Sequence, residues 1–150
     1  MVEGRDLHGI HFALDFLVSQ NKINGGESAG TAEPVSAKEK RVVVIGGGDT
    51  GSDCVGTAIR QKASGVTQLE ILPKPPLART PDNPWPFYAK VMKTSTSQEE
   101  GCERMWSLST VRFIGNEGNV TGVEVEDVVW MEEESGYSMK IIDGTRRIID

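Results

Sequence analysis

The clearest pattern of hydrophobic and polar residues begins with an unbroken apolar run at residues 42–45. Such a run is typical of a strand in a parallel sheet whose two faces are both covered by helices. After a glycine-rich segment, apolar residues recur at helical spacing between positions 55 and 59, and Gly65 ends that pattern. A second predicted strand at residues 66–72 completes a β-α-β unit.

The glycine-rich segment between strand and helix matches G-x-G-x-x-G at Gly46, Gly48 and Gly51. In this motif the first glycine permits a tight turn, the second lets a pyrophosphate approach the backbone, and the third lets the helix pack closely on the strand. Asp49 is predicted to cap the helix by accepting a hydrogen bond from the Ser52 amide. The free amides and the helix dipole predict a phosphate site, and therefore dinucleotide binding. The alternative is a tight strand-to-helix connection that binds no ligand.

Weaker patterns on either side of this unit predict the remaining elements. The N-terminal segment carries apolar residues at helical spacing from Gly9 to Asn21, and residues 24–40 form a glycine-rich connection. Residues 73–86 hold six of the seven prolines and predict a stiff loop. A short helix is predicted to begin at Ser97 or Gln98. The strands predicted after it are residues 105–114, 120–130, 137–142 and 146–149, with turns at 116–119, 132–136 and 143–144.

These elements predict an α/β fold with a Rossmann-like doubly wound parallel sheet, followed by an antiparallel three-stranded meander. One domain is expected, with an N-terminal helix at 1–22, a linker at 23–40, the nucleotide-binding unit at 41–104 and the meander at 105–150. A doubly wound sheet should continue with a further buried strand, so the chain is expected to be a fragment truncated at its C-terminus. Its open sheet edge is expected to offer a pairing site to a second copy of the chain.

Composition narrows the functional classes. The net charge is -6 and the isoelectric point is near 5.0, which argues against nucleic acid or an anionic membrane as partner. Neither a membrane span nor a signal peptide is evident. Cys54 and Cys102, the two cysteines, indicate a reducing compartment and are too few for an iron–sulfur cluster. His8 and His11 have no third ligand in the pattern and are interpreted as surface or capping residues.

Charges after the second strand bear on which dinucleotide is bound. In an NAD site a carboxylate at the end of that strand accepts a hydrogen bond from the ribose 2′-hydroxyl. Glu70 is near this offset but falls inside the predicted strand, whereas Lys74 and Arg79 follow it. Cations suit the 2′-phosphate of NADP, so NADP is favoured over NAD. Two alternatives stay open: Glu70 turns toward a ribose, or the two cations are solvated surface charges.

Several longer motifs resemble the small (beta) subunit of NADPH-dependent glutamate synthase, and the likeness covers nearly the whole chain. The restrictive segments are Asp-Asn-Pro-Trp-Pro at 82–86 and Thr-Ser-Thr-Ser-Gln-Glu-Glu-Gly-Cys at 94–102, because the glycine motif is shared by many flavoprotein reductases. The other matching segments are residues 4–13, 42–54, 72–76 and 118–123.

The resemblance implies the NAD(P)-binding domain of a glutathione-reductase-like flavoprotein. In that family NADPH passes hydride to FAD held by a second domain of the same subunit. Electrons then cross iron–sulfur clusters to a large subunit that makes two glutamates from glutamine and 2-oxoglutarate. By similarity, the nucleotide-binding residues are Gly46, Gly47, Gly48, Asp49, Thr50 and Gly51 at the pyrophosphate, Asp53 toward the nicotinamide, and Lys74 and Arg79 at the 2′-phosphate.

The chain departs from the family pattern by omission. It has no second glycine motif for FAD and no cysteine cluster, so both cofactors are expected in a parent protein. The isolated chain is therefore expected to bind NADPH weakly or not at all and to catalyse nothing. No acid, base or nucleophile is predicted, since the cofactors carry the redox step. A cytoplasmic location follows from the resemblance.

Three alternative functions remain open. The chain could be the same domain of another FAD- and iron–sulfur-dependent reductase, with a different electron acceptor. It could be a nucleotide-binding module that transfers no electrons. It could also be a structural domain whose glycine turn has lost its ligand. The sequence of the parent protein and a measurement of nucleotide binding distinguish these alternatives.

Overall fold

A computed structural model of the chain describes residues 2–27, 34–133 and 136–150. Parts of the predicted linker (28–33) and of the predicted turn at 132–136 (134–135) lie outside the described residues. The helices are α1 (Ala13–Asn24), α2 (Asp49–Arg60) and α3 (Thr96–Glu99). The strands are β1 (Arg41–Ile45), β2 (Gly65–Leu69), β3 (Glu103–Met105), β4 (Leu108–Asn116), β5 (Asn119–Glu133), β6 (Gly136–Ile141) and β7 (Arg147–Ile149).

The predicted parallel sheet is present, with β2 between β1 and β3. Val43 of β1 pairs with Thr67 of β2, and Leu69 of β2 pairs with Met105 of β3. Because all three strands run the same way, their carboxyl ends meet at one edge, where the glycine-rich segment leaves β1.

The two faces of β1 contribute to two different cores. Val44 packs with Phe16 of α1 and Val55 of α2 on the helical side. On the opposite side Val43 packs with a cluster that includes Val125 of the antiparallel sheet. An apolar run requires cover on both faces but does not say which element supplies it. Here the second cover is the antiparallel sheet, where the pattern had indicated helices.

The antiparallel meander is confirmed, and its long central strand β5 contacts three partners. Residues 119–127 of β5 pair with β4, residues 128–133 with β6, and residues 123–125 with β7. Glu117 and Gly118 adopt positive φ angles of 49° and 80° in the predicted hairpin turn.

The single strand predicted at 105–114 is wrong. The chain makes β3 in the parallel sheet and β4 in the antiparallel sheet, and Ser107 between them has a φ of 58°. An apolar pattern that continues through such a break hides it, because side-chain alternation carries no information about which sheet a strand joins.

Two helix starts also differ from the predictions. Helix α1 begins at Ala13 because Phe12 before it is extended, with a φ of -74° and a ψ of 142°. Helix α3 begins at Thr96, one residue before the predicted range, because Ser95 forms a capping box with Gln98.

Candidate functional site

The turn between β1 and α2 comprises Gly46, Gly47 and Gly48 and lies at the carboxyl edge of the parallel sheet. Gly46 has a φ of 120°, a conformation that favours glycine, and its amide donates to the Leu69 carbonyl at 2.8 Å. We call Gly46–Gly47–Gly48 the glycine turn. Its first glycine therefore has the turning role that the motif predicted.

The prediction that Asp49 caps α2 is wrong. Gly48 occupies the N-cap position, no side chain caps this helix, and the Ser52 amide donates to the Gly48 carbonyl at 3.0 Å. Since the helix starts one residue earlier than predicted, the Asp49 carboxylate lies in its first turn. The first amides of α2 lie at the end of a 12-residue helix, where the dipole favours an anion.

The absence of a side chain has different reasons at three of the glycines. A Cβ on Gly51 would overlap the Gly46 carbonyl, so Gly51 allows α2 to approach the end of β1. A Cβ on Gly47 would overlap the Glu70 carboxylate. A Cβ on Gly48 would meet no protein atom within 4 Å, so the space beside it is open. Open space at this position is what a bound pyrophosphate requires.

The remaining predicted site residues lie on the first turns of α2 and in the loop after β2. Asp49, Thr50 and Asp53 are exposed on the first turns of α2. Lys74 lies in the loop after β2, and its Nζ is 5.0 Å from the centre of the Trp106 ring. Arg79 binds its own loop instead, because its guanidinium donates to the carbonyls of Asn83 and Phe87 at 3.2 and 2.9 Å.

Glu70 was predicted inside a strand, and that placement is wrong. Strand β2 ends at Leu69, so Glu70 is the first residue beyond it. Its carboxylate lies against Gly47 and accepts a hydrogen bond from the Leu72 amide at 3.0 Å. A carboxylate therefore occupies the strand tip beside the glycine turn.

A cavity of about 120 Å³ joins this strand tip to the end of β3. Its lining residues are Gly47, Gln68, Glu70, Leu72, Pro73, Pro75, Arg104, Met105 and Trp106. The Arg104 guanidinium lies 5.0 Å from the Trp106 ring centre, so this ring has two cations near it. Sequence reasoning missed Arg104 and Trp106 because it did not separate β3, whose carboxyl end places them here.

Sequence reasoning also missed Gln68 and Gln98. Gln68 is 2% exposed in the middle of β2 and Gln98 is 8% exposed on α3. The available signal was a glutamine between Val66 and Leu69 of a predicted sheet strand, which needs hydrogen-bond partners if it is buried.

Within residues 2–27, 34–133 and 136–150, no three or more His, Cys, Asp or Glu side chains group as metal ligands would. In the same part of the chain, no helix has the length and apolar character needed to cross a membrane.

Comparison with solved structures identifies the fold. It is similar to that of Mycobacterium tuberculosis FprA in complex with NADPH, with a TM-score of 0.64 and 15% sequence identity. That match covers 99% of this chain and 44% of FprA. The chain therefore shares its fold with one part of FprA.

Comparison with curated sequences identifies relatives of the chain, although no protein-family model matches it. The glutamate synthase [NADPH] small chain of M. tuberculosis is 42% identical over 134 residues, or 87% of this chain. The glutamate synthase [NADH] of Schizosaccharomyces pombe is 40% identical over 142 residues, or 90% of this chain. The chain is therefore a homologue of one region of these glutamate synthases.

The region is a minor part of each relative. The chain spans 28% of the length of the M. tuberculosis small chain and 7% of the S. pombe protein.

Proposed function

We propose that this chain is an NAD(P)H-binding domain whose glycine turn holds the pyrophosphate of the dinucleotide. The observation that carries the proposal is the open space beside Gly48 at the start of α2, where strand β1 ends and helix amides are available. The M. tuberculosis relative named as NADPH-dependent and the FprA complex with NADPH support the same ligand class.

The rest of the proposed binding mode follows from the positions of the other residues. Gly46, Gly47, Gly48, Asp49, Thr50 and Gly51 surround the pyrophosphate, and Asp53 lies toward the nicotinamide. The adenosine end extends toward the cavity beside Trp106. Lys74, and Arg79 from the same loop, supply positive charge to a 2′-phosphate.

NADPH is proposed over NADH, with Glu70 as the residue that opposes this preference. A carboxylate beside the glycine turn attracts a ribose 2′-hydroxyl and repels a 2′-phosphate. Lys74 and Arg104 beside Trp106 counter that repulsion. Relatives named for NADPH and for NADH have similar sequence identity to this chain. The balance between the charges of Glu70, Lys74 and Arg104 is therefore proposed to decide which dinucleotide is preferred.

In the parent protein we propose that NADPH on this domain reduces FAD on a neighbouring domain of the same chain. Iron–sulfur clusters then carry the electrons to a large subunit for glutamate biosynthesis. The isolated chain is proposed to bind nucleotide weakly and to catalyse nothing. A cytoplasmic location is in keeping with two free thiols, Cys54 and Cys102, whose pKa values are both raised by burial. In isolation, the β1 edge is proposed to pair with a second copy.

The test is an NMR titration of the chain with NADP⁺ and with NAD⁺ at millimolar concentrations, which detects weak binding. The variants are Lys74→Ala, Arg79→Ala and Glu70→Gln, with Lys38→Ala as an exposed control that removes the same charge elsewhere. We expect NADP⁺ to bind more tightly than NAD⁺. Lys74→Ala should reduce the ratio of the two affinities about tenfold.

The outcomes separate the parts of the proposal. Shifts confined to residues 46–53 and the cavity lining would support the binding mode. Tighter binding of NAD⁺ that Glu70→Gln abolishes would overturn the NADPH assignment. Absence of binding by both nucleotides would overturn nucleotide binding by this chain.

A further inference from the structure

Two buried glutamines connect the glycine turn to α3. The Gln68 Nε2 donates to the Gly46 carbonyl at 2.9 Å. The Gln98 Nε2 donates to the Gln68 Oε1 at 2.8 Å, and this second bond is buried. Each amide thus has a defined orientation, because one end of Gln68 donates while the other accepts.

The connection returns to the turn through Ser95 and α2. Gln98 forms the capping box with Ser95, with bonds of 3.0 and 3.2 Å between backbone and side chain in each direction. The Ser95 hydroxyl is hydrogen-bonded to the Ser52 hydroxyl, and the Ser52 amide donates to the Gly48 carbonyl. We call Gln68, Gln98 and Ser95 the glutamine relay.

Two glycines of α2 leave room for these contacts. A Cβ on Gly51 would lie 3.0 Å from the Gln68 Nε2 and would overlap the Gly46 carbonyl. A Cβ on Gly56 would lie 2.5 Å from the Ser97 Oγ of α3. The missing side chains of Gly51 and Gly56 therefore leave space on α2 for Gln68 and for Ser97 of α3.

We propose that the glutamine relay is a positioning device that aims the amides of the glycine turn at the pyrophosphate. In a trans peptide unit the carbonyl and the following N–H point in opposite directions. Holding the Gly46 carbonyl against Gln68 therefore directs the Gly47 N–H away from the protein interior. Holding the Gly48 carbonyl against the Ser52 amide does the same for the Asp49 N–H. This inference rests on the proposed function for its ligand.

The relay also gives the Thr-Ser-Thr-Ser-Gln-Glu-Glu-Gly-Cys segment at 94–102 a specific role in the site. The segment contributes Ser95 and Gln98, and Gln98 lies 30 residues beyond Gln68, so no local pattern links them. A buried amide pair in a low-dielectric interior has a strong preference for full pairing. Loss of one member should therefore release the turn as well as lower stability.

The test compares Gln68→Met, Gln98→Met and their double variant with Gln61→Met. Gln61 is a matched control because it makes two side-chain hydrogen bonds of 2.6 Å at the far end of α2. The readouts are the Gly47 and Asp49 amide resonances without ligand, and affinity for NADP⁺ and for adenosine 2′-monophosphate, which lacks the pyrophosphate. Should Gln68→Met fail to fold, Gln98→Met and Ser95→Ala provide the same readouts.

We expect Gln68→Met to move both amide resonances and to weaken NADP⁺ binding about tenfold without changing 2′-monophosphate binding. The double variant should bind as Gln68→Met does, since both members act through one bond. The control should lower stability only. Unmoved amide resonances, or equal weakening of both ligands, would overturn the proposal. Moved resonances in a chain whose wild type binds no NADP⁺ would support the relay and overturn the proposed function.

Discussion

At the residue scale, the glycines of one motif are required for different physical reasons. Gly46 is required by its positive φ, Gly51 by the backbone that it contacts, and Gly48 by nothing in the protein itself. Gly48 has a φ of -75° and a ψ of -177°, which any residue adopts. The open space beside Gly48 is therefore available to the pyrophosphate that the proposed function places there.

We expect Gly51→Ala to lower the free energy of unfolding by about 2 kcal/mol, because its Cβ overlaps the Gly46 carbonyl in a packed region. Gly48→Ala should leave stability within about 0.5 kcal/mol of wild type but weaken NADP⁺ binding. Urea unfolding and nucleotide titration of the two variants check this contrast. Equal stability of the two variants would contradict it.

At the element scale, the antiparallel sheet contributes to the site by contacting the loop after β2. The Trp130 Nε1 of β5 donates to the Ile71 carbonyl at 2.9 Å, directly after Glu70. This bond ties the chain just after β2 to a strand of the antiparallel sheet. The loop therefore leaves β2 in a defined direction.

Trp130→Phe keeps the aromatic body and removes that donor, so we expect a loss of about 1 kcal/mol in unfolding free energy. Faster amide hydrogen exchange should be confined to the loop that follows Leu69. Trp85→Phe is the matched control, since Trp85 is 80% exposed on the same loop. A stability loss of the same size in the control would refute the role assigned to Trp130.

At the scale of the whole molecule, the chain is a stack of a helical layer, a parallel sheet and an antiparallel sheet. Among the described residues β1 pairs with β2 alone, and Ile45 at its end is 51% exposed. An unpaired edge with exposed apolar side chains is a template for pairing with another chain. The proposed homodimer would use this edge.

We expect the apparent mass of the isolated chain to rise with concentration in sedimentation equilibrium. Ile45→Lys should shift the chain to monomer, because a charge on an edge strand opposes edge-to-edge pairing. Leu77→Lys, on a loop residue that is 85% exposed, should not. A mass independent of concentration, or an equal effect of both variants, would rule out pairing through β1.

Local chemistry in the sequence by itself determined the β1–glycine turn–α2 unit and the hairpin at Glu117 and Gly118, and it is also the basis for the anion site proposed at the start of α2. Each depends on residues adjacent along the chain, on periodicity, or on a φ that glycine favours. Only the tertiary structure decided that Glu70 reaches the strand tip, that Arg79 binds its own loop, and that Arg104 and Lys74 lie near the same Trp106 ring. It also joined Gln98 to Gln68, since contacts between distant segments depend on where separate strands end and which face they cover.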